Sequence, residues 1–111
     1  MNRSTLGEFE HIVLLAVLRL GDSAYGVTVI EELERRTGRE ISQAATYIAL
    51  KRLREKGLLE SRLADPSPER GERARRYFTM TELGRERLRE SAGVLFSMWE
   101  GLDPALPESQ R

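Results

Sequence analysis

At 111 residues the chain is long enough to bury one core without covalent staples, and its size fits a single compact domain. The composition, 40% hydrophobic and 32% charged, is that of a folded soluble protein; the absence of cysteine excludes disulfides, thiolate metal sites and cysteine nucleophiles, and it fits a cytoplasmic location. Formal net charge is zero, yet residues 42–76 carry nine basic and five acidic side chains between two net-negative flanks, so positive potential is concentrated in the middle third.

The longest apolar run, Ile12 to Leu18, is far below the ~20 residues of a membrane span, and neither an anchor nor an export leader is expected. Around that run Leu6, Phe9, Val13, Ala16 and Leu20 recur at spacings of three and four, which predicts a helix from Leu6 to Leu20 capped by Thr5. Its centre is apolar all round, so protein must cover two of its faces. Gly21 and Asp22 end it, and Ser23 is the candidate cap of a second helix through Val27, Ile30 and Leu33 to a stop at Gly38. Ser42 caps a third helix running to Lys56, with Gly57 as its terminator. Leu58–Leu63 and Arg75–Met80 then read as two short strands joined by a long tip, Asp65–Ala74, rich in Pro, Gly and charge. Thr81 caps a last helix reaching about Leu102, where Pro104 and Pro107 follow and residues 104–111 form a frayed tail.

Three helices, a hairpin and a closing helix are the order of a winged helix-turn-helix, mainly α with a small β-hairpin. Residues 1–80 are then the DNA-binding domain, and 81–103 a long C-terminal dimerisation helix. On a helical wheel Ala45, Ala49, Leu50 and Leu53 share the inner side of the third helix, leaving Gln43, Ala44, Tyr47, Ile48 and Lys51 outward. Ser42, Thr46 and Arg52 complete the candidate DNA-binding set on this helix, and Arg70, Arg73, Arg75 and Arg76 supply the wing. Packing of Tyr47 and Ile48 beneath the first helix is the competing arrangement. In the last helix Leu88, Ala92, Leu95, Trp99 and Leu102 step by four and three as a short heptad-like seam, which Val94, Phe96 and Met98 widen. That seam predicts a homodimer presenting two recognition helices to a pseudo-palindromic operator in double-stranded DNA; the alternative is a monomer whose helix folds back on its own core.

The inventory argues against an enzyme. His11 is the only histidine, no phosphate-binding glycine loop occurs, and neither a metal nor a cofactor is expected. A winged helix used for protein contact without DNA is the other competing class. The stretches LGEFE (Leu6–Glu10), AYGV (Ala24–Val27), ATYIALKRL (Ala45–Leu53), EKGL (Glu55–Leu58), ERG (Glu69–Gly71) and RRY (Arg75–Tyr77), taken in order, resemble the PadR family of transcriptional regulators. The resemblance implies a homodimeric, usually repressing regulator of the short form, with a single C-terminal helix. It also implies response to small aromatic or drug-like effectors, for which Phe96, Met98 and Trp99 are the candidate pocket residues. Ile48 and Ala49 stand where many relatives carry small polar residues, so the operator sequence does not transfer.

Overall fold

The computed structural model describes residues 5–64 and 74–102. The predicted tip, apart from Ala74, and the tail at 104–111 therefore lie outside the described residues. The first helix, α1 (Glu8–Leu20), begins two residues later than the periodicity predicts. Gly7 is its N-cap and offers no side chain, so Thr5 is not the cap; Glu8 and Glu10 in the first turn and Arg19 in the last complement the helix dipole instead. Val13, Leu14, Ala16 and Val17 are buried by the chain's own fold, while Leu15 and Leu18 remain exposed on the opposite side. The single chain thus covers one of the two apolar faces.

A 3₁₀ turn, Gly21–Ser23, leads into α2 (Gly26–Thr37). Ser23 does not cap α2: its hydroxyl donates to Leu20 O at 2.8 Å. Tyr25 is the N-cap, and the Thr28 hydroxyl accepts from its backbone N–H at 3.0 Å, which satisfies one of the donors at the helix start. The start is displaced because Ala24 and Tyr25 are extended and serve as a partial third strand, with the Phe78 N–H donating to Ala24 O at 2.9 Å. Gly38 closes α2 in the left-handed region.

The turn that follows is tied back to α1, since Arg39 reaches both carboxylate oxygens of Glu8 at 3.2 and 3.3 Å. That guanidinium holds the Glu8 carboxyl below the usual carboxylate range. On α2 itself Glu32 is covered by Arg35 and Arg36, which bond both its oxygens and likewise keep it below its ordinary value. Next come α3 (Gln43–Glu55), with Ser42 Oγ accepting from the Ala45 N–H at 3.0 Å, and an antiparallel hairpin of β1 (Leu59–Ala64) and β2 (Arg75–Met80).

One residue, Thr81, separates β2 from α4 (Glu82–Trp99). Its hydroxyl accepts from the Gly84 N–H at 3.0 Å and donates to Gly57 O at 2.7 Å, while its own N–H donates to Leu58 O at 3.1 Å. Gly84 itself lies so close to Leu58 that a Cβ there would overlap the Leu58 carbonyl. The helix ends at Trp99, so Leu102 falls beyond it.

The core gathers the inner faces of all these elements around Leu14, Leu50, Leu53, Leu58 and Leu59. Leu88 belongs to that core at 7% exposure and is corrected from the dimer seam: this part of α4 still lies on α1, and its side chain is spent there. One turn further on, Ser91 Oγ shares a 2.7 Å hydrogen bond with His11 Nδ1 on α1. Desolvation holds the His11 imidazole below the ordinary histidine value of about 6.5. The folded state therefore resists protonation that the unfolded chain accepts. His11 supports stability fully above about pH 6.5, and that support is lost as pH falls through the depressed folded value. Chemical denaturation between pH 7.5 and 5 is expected to show a fall in stability that is reduced in His11→Asn; an unchanged pH slope in the variant would remove His11 as the source.

Candidate nucleic-acid interface

Helix α3 turns about 100° per residue, which places Thr46 in the middle of the arc bounded by Ala49 and Leu50 and directly beside Leu53. Thr46 is fully buried and its hydroxyl donates to Ser42 O at 2.8 Å, so it cannot reach a base edge and is corrected from the DNA-binding set. Gln43, Ala44, Tyr47, Ile48 and Lys51 are all exposed on the other side, as the wheel predicts, Arg52 is exposed as well, and Tyr47 and Ile48 do not pack beneath α1. Ser42 is also exposed, although its hydroxyl is engaged as the cap.

Two other cations of this region are drawn away from the open face. Lys56 pairs with Glu10 of α1 at 3.0 Å, and Arg54 is half-buried with Nη1 3.4 Å from Ser61 Oγ. Lys51 sits 4.0 Å from Glu55 in an exposed i,i+4 pair, too weak and too wet to hold it from a phosphate.

Tyr47 rests its ring on the start of α2. Gly26, the first residue of α2, lies beneath its ring, and a Cβ on Gly26 would overlap both the ring and the hydroxyl. The missing Cβ at Gly26 leaves the space that the tip of the Tyr47 ring occupies, with the backbone there outside the left-handed region. Next to this contact the base of the wing is locked to Tyr25. The Tyr25 and Tyr77 rings meet edge-to-face with centroids 5.4 Å apart. The Arg75 guanidinium lies 4.1 Å over the Tyr25 ring, and Arg62 lies 4.8 Å over Tyr77.

Arg75 is thus half-buried and engaged with the protein, whereas Arg76 is exposed, with Nη1 2.9 Å from Ser61 Oγ. Arg70 and Arg73 lie outside the described residues. Tyr25, Gly26 and Tyr77 were legible as parts of AYGV and RRY, but neither spacing nor charge assigns them a role; only their meeting across some 50 residues does.

On α4 the second half is open. Val94, Leu95, Phe96, Met98 and Trp99 are exposed, as is Leu102, while Ala92 is half-buried. Phe96, Ser97, Trp99, Glu100 and Gly101 border an open depression of about 550 Å³, which brings Phe96 and Trp99 together but does not include Met98. A second depression, about 500 Å³, runs between α1 and α4 past His11, Ile12, Val94 and Leu95. Among the described residues no helix is long and apolar enough to cross a membrane.

The sequence profile of the PadR-like family of transcriptional regulators matches residues 14–90. No curated protein matches significantly. Among solved structures the chain is similar to a PadR family transcriptional regulator from Eggerthella lenta, with 25% identity over 91% of this chain and 88% of that one and a TM-score of 0.69. A PadR-like transcriptional regulator from Bacillus cereus gives 23% identity, coverage of 83% and 84%, and a TM-score of 0.66. Bacillus subtilis PadR, solved in complex with operator DNA, shares the fold at 19% identity and a TM-score of 0.62; the match covers 74% of this chain and 46% of that longer one.

Proposed function

Because the chain belongs to the PadR-like family of transcriptional regulators, we propose that it represses transcription as a homodimer that binds a pseudo-palindromic operator in double-stranded DNA in the cytoplasm. Residues 1–80 bind the duplex, and residues 81–103 pair the two copies. The observation that carries this reading is the outer face of α3, where Gln43, Ala44, Tyr47, Ile48, Lys51 and Arg52 stand uncovered on a helix whose inner face is fixed by Leu50 and Leu53. Bacillus subtilis PadR, a protein of the same fold, was solved in complex with operator DNA, which supports duplex DNA as the partner.

In the major groove Gln43 reads a base edge, Ala44 and Ile48 meet thymine methyls, and Lys51 and Arg52 reach guanine or phosphate. The wing sets position through the backbone. A small aromatic effector is proposed for the depression beside Phe96 and Trp99, which offers the apolar, aromatic wall such ligands take.

Selection of bound duplexes from random DNA, repeated with candidate aromatic ligands, tests this reading; recovery of no enriched sequence would favour a protein-contact module. Lys51→Ala is expected to weaken operator binding with little change in thermal stability, since the pair with Glu55 is worth at most ~0.5 kcal/mol. Affinity equal to wild type would show that the assigned face does not meet DNA. Arg76→Ala should lower affinity for operator and random duplex alike and make the slope of log affinity against log salt shallower by about one unit. A salt series with an unchanged slope would detach the wing from the phosphates.

A further inference from the structure

Tyr25 and Gly26 are consecutive residues, and each holds a different part of the interface. We propose that they are positioning residues that fix the offset between the wing and the recognition helix, and so tune which bases α3 reads; this rests on the DNA-reading role of α3 proposed above.

On the wing side, Tyr25 is bridged to Tyr77, its ring meets the Tyr77 ring edge-to-face, and the Arg75 guanidinium lies over it. The preceding residue accepts a hydrogen bond from β2, and the Tyr25 N–H is held by Thr28. On the helix side, Gly26 opens α2, and the tip of the Tyr47 ring rests where a Cβ on Gly26 would lie.

Tyr47 lies on the outer face of α3 beside Ile48, so where its ring rests decides how closely its neighbours approach a base edge. One peptide bond separates the wing contact from the helix contact, so a shift of the Tyr25 backbone is passed directly to Gly26. Arg75 therefore acts through Tyr25 and not through phosphate. A purely structural role for these residues predicts a loss of stability and a uniform loss of binding. A positioning role predicts a change in base preference.

The test uses the whole 111-residue chain and two readouts: the ring resonances of Tyr47 in the free protein, and relative affinities for single-base variants of the selected half-site. Tyr25→Leu and Arg75→Leu are expected to move the Tyr47 resonances and to change base preference beneath α3 by about tenfold, the scale of one mismatched pair. Tyr25→Phe keeps the aromatic face and is expected to restore both. Gly26→Ala should move Tyr47 furthest, and if that variant does not fold the other two carry the test. Tyr47 resonances unmoved by Tyr25→Leu and Arg75→Leu, or affinity lost equally on every sequence, would overturn the proposal. Resonances that move in a protein binding no duplex would keep the linkage and reject the DNA-reading role of α3.

Discussion

Replacing Leu95 and Trp99 together by glutamate is expected to convert the proposed dimer to folded monomers. Both side chains are open in the single chain, at 53% and 44% exposure, so the fold itself loses little when they change. In the proposed pair of α4 helices they become buried, together with Val94, Phe96 and Met98, in an apolar stripe larger than a small monomer exposes without reason. A carboxylate forced into such a contact, with no cation to meet it, costs several kcal/mol, and the assembly carries four of them. Operator affinity should then fall by about 10²–10⁴, because two half-sites are no longer engaged by one linked particle. Sedimentation velocity decides the point: a variant that still sediments as a dimer would place the interface elsewhere. Melting of the wild type should also shift with concentration, as an oligomer's does.

The second large effect is on stability. Leu53 is fully buried where α3 meets the core, and Leu53→Ala removes a branched side chain from a site whose neighbours, Leu50, Leu58 and Leu14, are themselves tightly packed. A loss of about 2–5 kcal/mol is expected in chemical denaturation. That is a large share of what a domain of this size has to lose. Thr46→Val, two turns earlier on the same inner face, keeps the volume and removes only the hydroxyl bond to Ser42. It should leave operator affinity unchanged. A selective loss of DNA binding by the valine variant would return Thr46 to the interface.

The sequence carried the architecture wherever local chemistry decides it. Ser42 and Thr81 cap their helices with side-chain bonds to the N3 amide, and Gly38 closes α2, as their types and positions predict. Thr5 and Ser23 look equally suitable and do not cap; for Ser23 the reason is that the start of α2 is decided by a contact with β2 that is remote in sequence. Leu88 shows the same limit on α4: a step of four and three marks an apolar stripe but not what covers it, and the stripe passes from the chain's own core to open surface between Leu88 and Leu95. Charge counting placed Arg75 among the phosphate contacts, while the ring beneath it is Tyr25, half the chain away. Thr46 was legible in the wheel itself, since its angle lies between those of its buried neighbours.

The junction at Thr81 gives the molecule a mechanical property. With a single residue between β2 and α4, and with Gly84 seated on Leu58, there is no hinge in which a twist could be absorbed. In the proposed dimer the two recognition helices, joined through paired α4 helices, therefore form a rigid caliper with a set jaw width and a set angular phase. Duplex DNA advances about 34° per base pair, so one base pair inserted between half-sites both lengthens the gap and rotates one target away from its helix. A reader joined by flexible linkers would tolerate that insertion; this one has to bend the DNA or release a half-site, which makes the gap between half-sites as much a part of the recognised signal as the bases within them.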